Sequence, residues 1–174
     1  MKKVLFIILL SIFSIGIVQA QNYKYIGSSK CKMCHNKTEK GEQYNVWLNG
    51  KHSHAMEILK TDRAKEVGAK LNIFDPVSSP ACISCHSTYG NVDMKLIAGL
   101  NLNEGVSCES CHGPGSMYKG ASVMKNRDQS LNNGMILPTE DVCKNCHNSK
   151  SPTFKSFNYE EALKKINHSN PTLQ

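Results

Sequence analysis

The sequence predicts a mostly α-helical fold of one domain with very little strand, and three observations lead there. The first 20 of its 174 residues, Met1 to Ala20, are composed as an export leader, which leaves a length suited to one domain and no room for a second large one. Beyond them the apolar fraction falls to about 36%, against about 45–50% in ordinary globular domains. Only Phe74, Phe154, Phe157, Trp47 and six Tyr remain as aromatic core material, beside eight Cys and seven His. The candidate helices are short, and no segment alternates cleanly. Side chains alone make a thin core, so something other than Phe and Leu has to fill the middle.

The elements follow in chain order. Met1-Lys2-Lys3 is a short basic start, Val4 to Val18 an apolar run, and Val18-Gln19-Ala20 a small-residue cleavage site. That run is too short for an ordinary membrane span. No second such run follows and no Cys sits after the cleavage site to take a lipid. The expectation is a soluble periplasmic protein cleaved after Ala20, with residues 21–174 as its single domain. Glu39 to Asn49 and Ser53 to Leu71 have helix-forming composition, with Val46, Trp47, Ala55, Ile58 and Leu59 as inward positions and Gly50 breaking the two. Phe74 to Ala81, holding Pro76 and Pro80, reads as a linker. Ser87 to Glu104 contains possible short strands, Gly113-Pro-Gly115 a turn. Asn158 with Glu161 resembles a capping box opening a last helix through Ile166.

Eight cysteines in an exported chain would ordinarily be a disulfide framework. Their spacing argues otherwise. They occur as Cys31-Lys-Met-Cys34-His35, Cys82-Ile-Ser-Cys85-His86, Cys108-Glu-Ser-Cys111-His112 and Cys143-Lys-Asn-Cys146-His147, with none left over. Residues i and i+3 lie side by side on a helical turn. Two thiols placed so can add to the two vinyl groups of one haem, while the following His reaches the iron from the proximal face. A zinc ribbon needs two such pairs per metal and has no use for a His after each. The pattern predicts four covalently attached haem c groups. The Cys residues hold the porphyrins and His35, His86, His112 and His147 bind iron. The porphyrins then supply the missing core and lie close enough to exchange electrons.

After the leader there are 19 Lys and Arg against 14 Asp and Glu. Four ferric haems, each with two propionates, bring the holoprotein close to neutral, so the sequence pI of about 9.0 is no argument for nucleic acid. The excess is local. Gln21 to Lys70 holds ten basic against five acidic residues, and Leu71 to Gln174 nine against nine. Lys30, Lys32, Lys37, Lys40 and Lys51 are placed to ring the first haem and to steer an acidic redox partner toward it.

Tyr25-Ile-Gly-Ser-Ser-Lys-Cys31 with its following Cys-His, Trp47 with His52 five residues on, and Gly105-Val-Ser-Cys-Glu-Ser-Cys-His-Gly-Pro-Gly115 resemble the tetrahaem cytochrome c-554 family from about Gly27 to His168. The resemblance implies an irregular, mainly helical fold of short helices and loops wrapped around four stacked haems. It also implies periplasmic electron relay, in some members from hydroxylamine oxidation.

Seven His less four proximal ones leave His52, His54 and His168, so at most three haems can be bis-His within one subunit. By the same resemblance His52 and His168 are distal ligands, whereas His54 reads as a solvated side chain. The family usually has a further His after the Gly-Pro-Gly turn, where this chain has Ser122. Met124, two residues on, is therefore a candidate distal ligand, with Met117 and Met135 as rivals. The second haem is left with an open face. The expected function is electron transfer rather than catalysis. Two alternatives stand beside it: an enzyme reducing nitric oxide, nitrite or hydroxylamine at an open haem, and a filament subunit that lends a His to its neighbour.

Overall fold

The computed structural model describes residues 22–171, and the expected leader lies outside the described residues. Ten α-helices follow one another: α1 Ser29–His35, α2 Gln43–Leu48, α3 Ala55–Ile58, α4 Asp62–Lys70, α5 Pro80–His86, α6 Cys108–His112, α7 Ala121–Met124, α8 Arg127–Asn132, α9 Glu140–Lys144 and α10 Tyr159–Ile166. A single parallel bridge, Tyr25 to Ile97, is the extended pairing among the described residues. The mostly α fold with almost no strand is as expected, and among the described residues no helix is long and apolar enough to cross a membrane.

The longest helix, α4, has nine residues. Helices this short do not hold in water by themselves, so caps and docking decide where they run. The expected Ser53–Leu71 helix is cut at Thr61. Its hydroxyl donates to Ile58 O at 2.7 Å, ending α3, and accepts the Ala64 N–H at 3.2 Å, starting α4. Asn158 caps α10 as expected, its Oδ1 accepting the Glu161 N–H at 3.0 Å. In Ser87 to Glu104, where strands were conceivable, the chain forms 3-10 turns at Tyr89–Asn91, Met94–Leu96 and Leu102–Glu104. The last is fixed by a complete capping box between Asn101 and Glu104.

The side-chain core is as thin as the composition implies. Among the described residues Ile26, Met56, Leu59, Leu100 and Tyr118 are its buried hydrophobic members. Leu59 is inward as expected. Trp47 is half-buried, its indole N–H donating to Val106 O at 2.8 Å. Val46 and Ile58 are exposed, because the break at Thr61 and the short run of α2 turn those faces outward. Small helices pack locally: α1 on α2, α3 on α5 and on the Leu102–Glu104 turn, and α7 on α8. Gly113 leaves α6 with φ +77, a conformation that suits glycine. A Cβ there would stand 2.5 Å from Gly134 O, so the turn and the α8 exit lie against each other.

Candidate functional site

Each Cys-x-x-Cys-His segment sits on a helical turn, as the chemistry of the spacing requires. Cys31, Cys34 and His35 lie on α1, and Cys82, Cys85 and His86 on α5, which opens with Pro80 at its first position. Cys108, Cys111 and His112 span α6, where the Ser107 hydroxyl accepts the Glu109 N–H at 3.2 Å. Cys143 is on α9, and Cys146 and His147 continue it as a turn with both amides donating to Cys143 O. None of the eight cysteines is joined in a disulfide.

The four segments converge in pairs. The Cys31 thiol donates to Cys108, which pushes Cys31 up, with burial as the next cause, and draws Cys108 down. Cys146 meets Cys85, and burial together with that neighbour takes Cys146 up to about 12. Burial and the nearby Cys143 take Cys111 up to about 11. Among the described residues no group of three or more His, Cys, Asp or Glu side chains converges as a bare metal ion would need.

Two of the three spare histidines stand opposite motif histidines. The rings of His52 and His147 are 6.1 Å apart between centroids and crossed at 66°, and those of His112 and His168 are 6.0 Å apart and crossed at 78°. With a metal–imidazole bond of about 2.0 Å and a ring centre ~1.1 Å behind the nitrogen, two imidazoles on one iron have centroids about 6.2 Å apart. Both pairs fit that figure. Burial, then the facing histidine, lowers the pKa of His52 and of His112, and burial lowers that of His147. These imidazoles are thereby kept neutral, the form that binds iron.

Second partners orient the rings. His86 Nδ1 lies 2.8 Å from Ala55 O and His168 Nδ1 2.7 Å from Ile166 O, which leaves each Nε2 free of that contact. Phe157 stacks on His147 at 4.9 Å and 17°. His54, by contrast, is exposed and its Nδ1 lies 3.0 Å from Glu57 Oε2. His35 is close enough to His112 to help lower its pKa. Met124 closes α7, half-buried, with Met117 exposed and Met135 half-buried. Sequence reasoning missed the Ala55, Ile166 and Phe157 contacts, none of which leaves a motif. It also missed the half-buried Glu104 and the buried Glu109, although Asn101-x-x-Glu104 has the spacing of a capping box.

The residues present therefore suit a haem at each motif: paired thiols on a helical turn, a histidine after them, and a thin side-chain core around them. The family described as Cytochrome c554 and c-prime matches residues 30–113, a stretch that takes in the first three motifs. Cytochrome c-554 of Nitrosomonas europaea is 30% identical over 131 residues, which cover 72% of this chain and 53% of that protein. The C-type polyheme cytochrome OmcC of Geobacter sulfurreducens is 28% identical over 95 residues, covering 48% of this chain and 12% of that protein. The chain thus spans about half the length of the first relative and a small part of the second. No solved structure matches it.

Proposed function

The chain belongs to the cytochrome c-554 family of multihaem electron-transfer proteins with covalently bound c-type haem, and from that premise we propose that it relays electrons in the periplasm through four such haems. The observation that carries the number four is the recurrence of Cys-x-x-Cys-His on four helical turns, with two spare imidazoles set opposite two of the motif imidazoles. When bound, each haem supplies a one-electron iron couple whose potential answers to its axial ligands and surroundings.

The chain's own residues do the rest. Cys31 and Cys34, Cys82 and Cys85, Cys108 and Cys111, and Cys143 and Cys146 would hold four porphyrins, and His35, His86, His112 and His147 would each bind the iron of one of them. His52 would share the iron of His147, and His168 that of His112. With His54 bound to Glu57 at the surface, His35 and His86 have no histidine to share. Met124 would be the second protein ligand of the iron held by His35, and the iron held by His86 would be left without one. The meeting of Cys31 with Cys108 and of Cys85 with Cys146 supports pairing of the first with the third attachment site and of the second with the fourth.

Mass spectrometry of the mature protein is expected to find the leader removed and four haems added, and a ferric spectrum is expected to contain high-spin as well as low-spin haem. Met124→Ala should remove a methionine-to-iron band near the red end of that spectrum and lower one potential, since a thioether ligand raises potential relative to bis-His. An unchanged spectrum would make Met124 an apolar packing residue. Turnover of nitrite, hydroxylamine or nitric oxide by the purified protein would move the reading to a reductase at the second haem.

Lys30, Lys32, Lys37, Lys40 and Lys51 are all exposed, and Lys32 Nζ lies 5.6 Å from the Tyr44 ring centre. This basic face beside α1 is the proposed dock for an acidic redox partner. Reversing Lys32, Lys37 and Lys40 to Glu should slow electron exchange about tenfold at low salt. The difference should fade once the screening length falls to about 10 Å near 0.1 M. Equal rates for the triple variant and the parent at low salt would place docking elsewhere.

A further inference from the structure

Two carboxylates lie between the first and third motif helices with no basic side chain against them. Glu109 is 2% exposed. Its Oε1 accepts the N–H of Gly115 at 2.6 Å, its Oε2 that of Gly27 at 2.8 Å, and both oxygens lie 3.0 Å from the Ile26 N. Glu104, half-buried, accepts the Ser28 N–H at 2.8 Å on Oε2 and the Asn101 N–H at 2.8 Å on Oε1. Three successive amides, those of Ile26, Gly27 and Ser28, thus point at the two acids just before the helix that carries Cys31. The Ser28 hydroxyl in turn accepts the Cys108 N–H at 3.2 Å. One network joins Glu104, Glu109 and the segments bearing Cys31 and Cys108.

The backbone is wrapped around these acids. A Cβ at Gly27 would stand 3.2 Å from Glu104 Oε1, and one at Gly115 would stand 3.1 Å from Glu109 Oε1. The titratable groups facing the pair include Tyr25, Tyr44, Tyr118, Cys31, Cys108 and each other, all neutral or acidic. Neither acid takes part in an ion pair among the described residues. Burial holds the Glu109 carboxyl above the usual carboxylate range, the Gly115, Ile26 and Gly27 amides draw it only part of the way back, and the neighbouring Glu104 charge adds to the rise. Backbone amides satisfy the oxygens without neutralising their charge. An anion held away from water acts on a nearby charge far more strongly than a surface carboxylate does.

Resting on the four-haem reading above, we propose that Glu104 and Glu109 are positioning residues whose paired negative charge lowers the potentials of the first and third haems. Their charge favours the ferric over the ferrous iron at the attachment sites where Cys31 and Cys108 meet. The step affected is the one-electron couple, in which iron(III) takes one electron from a redox partner and becomes iron(II). No bond is formed or broken in it.

The test uses the haem-loaded protein. Glu104→Gln and Glu109→Gln are each titrated potentiometrically, with the four haems followed by their visible spectra and counted by mass. Each variant should raise two of the four potentials and leave the other two in place. The expected size is a tenfold rise in the ferrous-to-ferric ratio at fixed ambient potential, about 59 mV for a one-electron couple. A merely structural role would move all four potentials together or none, and either result overturns the proposal. Glu109 holds three different amides through both oxygens, so its amide variant can fail to fold. Glu104, with two contacts in a surface turn, then decides alone. Wild-type protein carrying other than four haems would sink the functional reading, whatever the variants do. Four haems with unmoved potentials would sink the acid pair and leave that reading standing.

Discussion

Chain made without covalent haem attachment shows no cooperative thermal transition by calorimetry or near-ultraviolet circular dichroism. The expectation follows from how little the side chains bury. Among the described residues the buried hydrophobic side chains are Ile26, Met56, Leu59, Leu100 and Tyr118, and each contributes on the order of 1.5–3 kcal/mol when removed from water. Ordering the backbone costs about 1–2 kcal/mol for every residue, so five such side chains fall far short for a chain of this length. None of the ten helices is long enough to persist alone. The thioether-linked porphyrins are the remaining apolar mass, and their role parallels that of the metal in domains that fold only when loaded. A variant with all eight cysteines changed to Ser should therefore be as unstructured as chain from cells lacking the maturation machinery. A sharp transition in either preparation would show that the polypeptide has a core of its own.

His52→Ala and His168→Ala should each convert one haem from low spin to high spin in the ferric protein, while His54→Ala changes nothing. On the ligation proposed above, the ring separations of 6.1 and 6.0 Å put the two substitutions on different irons, those held by His147 and His112. The double variant should therefore lose two low-spin haems, with the effects additive. Added imidazole should restore the lost ligand field in each single variant, which distinguishes a missing ligand from a misfolded chain. An unchanged spin count in His52→Ala would mean that His147 takes its sixth ligand from elsewhere.

The haem chemistry was legible because it is local. A thiol pair at i and i+3 and a histidine at i+4 write their geometry into five consecutive residues, and all four segments adopt it. The last helix was legible for the same reason, since Asn158 and the Glu161 amide are one turn apart. Features that depend on the assembled molecule were not. Nothing near His52 in sequence indicates that it faces His147 rather than another motif histidine, and only folding brings Ile26 to Glu109. The division of Ser53 to Leu71 into α3 and α4 lay between. Thr61 is a good helix cap, but helix composition on both sides of it reads as one continuous run.

The thiol meetings across motifs also bear on the order of events before the protein is finished. The oxidising compartment proposed for this chain joins thiols that come together, and here Cys31 comes to Cys108 and Cys85 to Cys146. A disulfide at either place would consume one attachment point from each of two motifs. It would strand Cys34 and Cys111, or Cys82 and Cys143, as single cysteines unable to hold a porphyrin by two bonds. One oxidation event then disables half of the molecule. The chain has to be kept reduced until ligation is complete, and collapse into this arrangement has to come last. The native proximity of these sulfurs is thus a hazard that the cell's thiol-reducing steps must outrun, even though the finished thioethers are safe from it.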